Sequence, residues 1–175
     1  RERDARPTPA DAIASTGHAG ASDRVAQIVA GHSHTCARTE RGAVSCWGQG
    51  TFGALGDGTD VSRSTPALVR GLGPARHLAA ADHATCAAGV DGRVRCWGTL
   101  SEMLPQVEDR AAPRAIREVP GVEGAVEVAI SLSHGCARDA QGAVTCWGLS
   151  RSGEAGTVSD ARLPARRIAG VTDAV

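Results

Sequence analysis

The chain has 175 residues, 42% of them hydrophobic, and its 19 basic and 19 acidic residues leave no net charge. Such a length and apolar content suit one domain with a core, and the charge content does not fit global disorder. Zero net charge and four aromatic residues, three Trp and one Phe, exclude a basic nucleic-acid surface studded with stacking rings, and no apolar run approaches the roughly 18 residues a membrane helix needs.

Alanine supplies 32 of the hydrophobic residues, and Lys and Asn are absent, a codon signature of a GC-rich genome. The chain starts at Arg1, which reads as a processed or excised piece. Residues 1–23 are polar and read as a linker or as the remnant of a preceding unit, because Thr8-Pro9-Ala10 echoes Thr65-Pro66-Ala67. From residue 24 a repeat takes over. The cysteines stand at 36, 46, 86, 96, 136 and 146, ten apart within a pair and fifty apart between pairs. Trp47-Gly48, Trp97-Gly98 and Trp147-Gly148 follow the second cysteine of each pair; Gly42, Gly92 and Gly142 lie four residues before it, and Val44, Val94 and Val144 two before it. Self-similarity at this period means a solenoid, a propeller or an array. The units run 24–73, 74–123 and 124–171, with 172–175 starting a truncated fourth.

Each unit opens on a short apolar run, Val25 to Ala30, Ala75 to Ala81 and Ala125 to Ile130, which reads as a strand. A hairpin follows. In the first unit His34 to Thr39 returns through Glu40-Arg41-Gly42 to Ala43 and Val44-Ser45-Cys46-Trp47. A three-residue loop of this kind is a type I turn ending at positive φ, where glycine is tolerated. If Thr39 pairs with Ala43, then Arg38 faces Val44, Ala37 faces Ser45 and Cys36 faces Cys46 as a non-hydrogen-bonded pair, with Cα atoms about 4.5 Å apart. This geometry predicts disulfides Cys36–Cys46, Cys86–Cys96 and Cys136–Cys146, hence an oxidising, extracytoplasmic compartment. The competing readings are free buried thiols and metal. His32, His34, His83 and His134 stand near the first cysteines, but C-x9-C is not a zinc-knuckle spacing, and Ala84 replaces the His34 and His134 position in the second unit. No metal and no cofactor are expected.

With these residues in hand, Gly31-His32-Ser33-His34-Thr35-Cys36-Ala37, Gly42-Ala43-Val44-Ser45-Cys46-Trp47-Gly48 and Gly53-Ala54-Leu55-Gly56-Asp57-Gly58-Thr59 together resemble the regulator-of-chromosome-condensation repeat, in its bacterial, cysteine-containing form. The resemblance covers about residues 24 to 175. It implies an all-β fold, a β-propeller fragment of about three four-stranded blades, in a family whose rings usually have about seven. Three blades do not close a ring, so the resemblance also implies an open arc or part of a longer propeller chain. The second unit departs from the pattern: Met103-Leu104-Pro105-Gln106 replaces the Gly-rich segment, so residues 99 to 113 must follow a different path, through decay or added function.

The expected function is a non-enzymatic scaffold, secreted or at the cell surface, for an unknown protein partner. Arg38 and Arg41 at the first hairpin, Arg93 and Arg95 on the second, and Arg110 and Arg114 in the odd loop are candidate partner contacts. A carbohydrate or cell-wall module is the alternative. It would use Trp47, Trp97 and Trp147 as platforms, although their identical repeat positions favour packing. A hydrolase is a further alternative. Ser131-Leu132-Ser133-His134 sets hydroxyls beside an imidazole and Asp82-His83 pairs an acid with a base, but no G-x-S-x-G, P-loop or H-E-x-x-H motif occurs.

Overall fold

The computed structural model of the chain describes residues 23–105 and 115–171. Three four-stranded antiparallel sheets follow one another along the chain. Blade 1 is β1 (Val25–Ala30), β2 (His34–Thr39), β3 (Val44–Gly48) and β4 (Arg63–Leu68). Blade 2 is β5 (Ala75–Ala81), β6 (Ala84–Gly89), β7 (Val94–Gly98) and β8 (Arg117–Glu118). Blade 3 is β9 (Ala125–Ile130), β10 (His134–Asp139), β11 (Val144–Ser150) and β12 (Ser159–Arg167). In each sheet spatial order equals chain order. The result is an all-β partial propeller of three blades, and the opening strands of each repeat have the bounds that the apolar runs indicate.

Turn chemistry sets the hairpin register. Thr39 N–H donates to the Ala43 carbonyl (2.9 Å) and Gly42 N–H to the Thr39 carbonyl (3.0 Å), closing the three-residue loop. Gly42, Gly92 and Gly142 take φ of 87°, 78° and 84°. At Gly42 and Gly92 a Cβ would also strike the start of the next blade, 2.8 Å from Ala75 N and 2.9 Å from Gly124 Cα. Arg38 then faces Val44, Ala37 faces Ser45 and Cys36 faces Cys46, and the other two hairpins repeat this pairing. All three cysteine pairs are disulfide-bonded, with Cα atoms 4.1, 4.0 and 4.0 Å apart.

Each blade packs on the next through one apolar layer. Ala75, Leu78, Ala87 and Trp97 of blade 2 meet Val44, Leu55, Val69 and Leu72 of blade 1; Ala125, Val128, Ala137 and Trp147 of blade 3 meet Val94, Leu104, Val119 and Val122 of blade 2. The small Ala75, Ala87, Ala125 and Ala137 bring successive sheets close, which accounts for part of the alanine excess. The atypical loop of blade 2 belongs to the core as far as it is described. Its Leu100 carbonyl accepts Met103 N–H (3.0 Å) and Leu104 N–H (2.8 Å), and Leu100, Met103 and Leu104 are buried. Apolar side chains thus fill the space that a Gly-rich turn occupies in blade 1. Residues 106 to 113 of this loop, the linker up to residue 22 and the stub 172–175 lie outside the described residues.

The opening strands carry a second device. Register shifts at Val25/Gln27, Ala75/His77 and in β9 before Glu127 mark a bulge in each, and a bulge re-aims the side chain beside it. Gln27 reaches across to blade 2, where its Oε1 accepts Leu78 N–H (2.9 Å) and its Nε2 donates to the Leu78 carbonyl (2.8 Å). One amide side chain thereby pairs with backbone groups on the edge of β5 that faces away from β6. His77, at the same position of blade 2, accepts Val128 N–H on Nδ1 (3.4 Å).

Candidate functional site

The blades present two sets of loops. One end holds the hairpin tips and the β4–β5 connection, tied together by Ala75 N–H to the Gly42 carbonyl (2.9 Å). The other end holds the β1–β2, β5–β6 and β9–β10 turns and the start of the outer loops, tied by Gln49, Thr99 and Leu149 N–H to the Ser33, His83 and Ser133 carbonyls.

At the hairpin end the sequence-nominated arginines are largely engaged within the chain. Arg95 grips Asp91 (2.7 Å) and lies 3.7 Å from Glu118, while Arg93 pairs with Glu118 at 2.5 Å. The hydrogen bond from Arg95 holds the Asp91 carboxyl below its usual range. Arg38 is half-buried and donates to the Thr39 carbonyl (3.0 Å) and to Gln27 Oε1 (3.4 Å). Arg41 is exposed, and its side chain has no partner among the described residues. Arg110 and Arg114 lie outside the described residues.

The turn end gathers a group that sequence reasoning did not assemble. Phe52 is 55% exposed, and its ring lies 5.7 Å from the His83 ring, which in turn lies 5.9 Å from His32. Asp82 carries a carboxylate oxygen 3.9 Å from His83 Nε2. Phe52 and Asp82 sit at φ of 60° and 47°, the two non-glycine residues at positive φ among those described. A bulky side chain held there is uncommon and costs conformational energy, of order 1–3 kcal/mol. The turns of blades 1 and 2 are locked together by His32 N–H donating to the Asp82 carbonyl (2.8 Å). The signal in the sequence was indirect: a single Phe and the four histidines His32, His34, His83 and His134 near the same repeat position, weighed there as metal ligands. Among the described residues no group of three or more His, Cys, Asp or Glu is placed to hold a metal ion.

Beneath this group His34 is buried, with Nε2 2.7 Å from Thr85 Oγ1 of blade 2. Burial pushes its pKa down, His83 pushes it further, and Asp82 opposes both. Burial likewise lowers His77. The neutral forms are therefore favoured by folding, so this stability is present above the unfolded value of 6.5 and is lost as pH falls below it. The thermal midpoint should drop on acidification below 6.5, ahead of any carboxylate titration, and His34→Gln should flatten part of that drop. A midpoint independent of pH across this window would refute the assignment.

The hydroxyl of Ser131 lies 2.8 Å from His134 Nδ1 but also accepts the Ser133 and His134 N–H groups at 3.3 and 3.2 Å. That is how a hydroxyl closes a turn. Trp97 and Trp147 are fully buried and Trp47 is half-buried.

Two models of the regulator of chromosome condensation (RCC1) repeat match residues 25–54 and 41–88. Residues 25–88 are thereby matched to regulator of chromosome condensation repeats. The ultraviolet-B receptor UVR8 of Arabidopsis thaliana is 45% identical over 49 residues, which are 28% of this chain and 11% of the receptor. Human WBSCR16 has the same fold with a TM-score of 0.67 at 23% identity, over 80% of this chain and 37% of that one. Prp20p of Saccharomyces cerevisiae, described for its binding to Gsp1p and histones, superposes with a TM-score of 0.65 at 21% identity, over 82% of this chain and 38% of its own. The repeats in this chain thus span well under half of the length of these relatives.

Proposed function

We propose that these repeats form a non-enzymatic protein-binding scaffold that works outside the cytoplasm, secreted or at the surface of a bacterial cell. The observation that carries the binding half of this reading is the exposed Phe52, held at positive φ against His83 beside a second strained residue, Asp82. Exposed aromatic anchors ringed by polar groups are what protein interfaces use, and strained backbone concentrates where a surface must hold a fixed shape. The protein ligands named for Prp20p lend the reading support at the level of the fold. The three disulfides support the location, since such bonds persist in oxidising compartments. The burial of Trp97 and Trp147 weighs against a carbohydrate platform made of the repeat tryptophans.

The test compares the two ends of the blades. Wild-type chain and the variants Phe52→Ser and Arg41→Glu are used as baits against surface proteins of the native cell. Loss of the captured protein with Phe52→Ser, and its retention with Arg41→Glu, is the expected result. Loss with Arg41→Glu alone would move the contact to the hairpin end. Turnover of ester or phosphate substrates that disappears in His134→Ala would overturn the non-enzymatic reading.

A further inference from the structure

The outer rim of blade 1 carries a groove of about 480 Å³, inside the range of about 300–1,000 Å³ that small-molecule sites occupy. Asp57, Gly58 and Thr59 line it from the turn before β4, Arg63 and Leu68 from β4 itself, and Arg70 from just beyond that strand. β4 is the outermost strand of its sheet. Neither Val44, Leu55, Val69 and Leu72, through which blade 1 receives blade 2, nor Val25 and Ile28 of β1 line the groove, so it belongs to the rim and not to a seam.

The two arginines are prepared differently. Asp57 is buried; its Oδ1 accepts Thr59 N–H (2.9 Å) and Thr59 Oγ1–H (2.8 Å), and its Oδ2 accepts Arg63 Nε–H (2.7 Å). Burial pushes the Asp57 carboxyl up, but the hydrogen bonds from Thr59 and Arg63 outweigh it and hold the group below its usual range. A fixed carboxylate therefore grips Arg63 by Nε, while both Nη groups are without a partner among the described residues and the side chain is 41% exposed. Arg70 uses only its backbone N–H, which donates to the Gly56 carbonyl (3.0 Å); its exposed guanidinium has no partner among the described residues. Two cations thus share the groove with one carboxylate. Leu68, 60% exposed, sets an apolar side chain beside them, and the space where a Cβ of Gly58 would stand is open. The repeat does not require Arg70. Val69, Val119 and Ile168 N–H donate to the Val44, Val94 and Val144 carbonyls and so mark equivalent positions, and the residues that follow them are Arg70, Pro120 and Ala169.

We propose that this groove binds a small organic anion, its oxyanion held by the Nη groups of Arg63 and by Arg70 and its apolar part lying on Leu68. A planar guanidinium whose Nε is already anchored offers its remaining donors in a fixed orientation, which suits the oxygens of a phosphate or carboxylate. The inference is independent of the Phe52 end. Its test is a titration of the chain, labelled with ¹⁵N, with phenyl phosphate, followed through the backbone amides and the arginine Nε–H signals. Saturable shifts at Thr59, Arg63 and Arg70 are expected. Inorganic phosphate should move the same signals with about fivefold weaker affinity, for want of the apolar contact, and phenol should move none. Arg70→Gln, which removes a side chain that touches no partner within the chain, should weaken phenyl phosphate about tenfold. Arg63→Lys keeps the charge but loses the anchored fork, and should weaken it as well. Arg76→Gln, at another exposed arginine, on β5, should leave it unchanged. Shifts that never saturate, or that are as large around Arg76 as around Arg70, overturn the proposal. So does an affinity that Arg70→Gln leaves intact, or one that is equal for inorganic and phenyl phosphate.

Discussion

Replacing Trp97 by alanine should destabilise the chain by about 3–5 kcal/mol, the cost of emptying a large buried site that cannot collapse. Trp97 is wholly buried between blades 1 and 2, among Leu55, Val69 and Leu72. Its Nε1–H donates to the Ala54 carbonyl of blade 1 at 3.0 Å, so one side chain fills the seam and satisfies a loop carbonyl of its neighbour. The ring has room because residue 56 is glycine; a Cβ there would lie 3.0 Å from Nε1. Blade 3 offers a control. Trp147 is equally buried, but the second blade has lost the Gly-rich turn, and Trp147 Nε1 has no hydrogen-bond partner among the described residues. Trp97→Phe should therefore cost about 1 kcal/mol more than Trp147→Phe, the worth of one buried hydrogen bond. Urea unfolding followed by circular dichroism measures both. Equal losses would mean that the Ala54 contact contributes nothing.

Reduction of the disulfides should have the largest effect of any single treatment. Each bond closes a loop of sequence separation 10, for which chain entropy gives up to about 3 kcal/mol. The pre-formed turn lowers that figure, because the unfolded loop is already restricted. Even half of it, taken over three blades, is comparable to the about 5–15 kcal/mol by which domains are stable. The core has little to replace it, since alanine and valine make up half of the buried seam residues. Chain reduced in denaturant and returned to native buffer should melt at least about 10 °C below the oxidised chain. An unchanged midpoint would show that the hairpins stand on turn and packing alone.

How far the sequence could be read depended on the range of the interactions. Cys36 opposite Cys46 was legible because a turn of fixed length and a glycine at positive φ set the register within a dozen residues. The propeller came from the resemblance, since no local rule states how one sheet meets another. The intrachain pairing of the arginines stayed hidden for a related reason. Arg93 and Arg95 stand on a hairpin as free cations would, but Glu118 comes from β8, a strand of two residues with no periodic pattern to announce it. The group at the turn end was hidden because a phenylalanine at positive φ leaves no mark in composition or spacing. Gln27 likewise reads as a polar residue in an apolar run until the bulge is seen to aim it at Leu78. The Met103-Leu104 segment read only as a departure from the repeat, open to decay or added function, and its burial makes it part of the core.

The disulfides also have a mechanical consequence. A force applied to the two ends of the chain runs along β1, leaves through Cys36 to Cys46 by the covalent bridge, and never loads the hairpin tip between them. Each blade therefore withholds about 30 Å of contour from extension, and the three tips with their turns would ride intact on a chain whose seams had already been pulled apart.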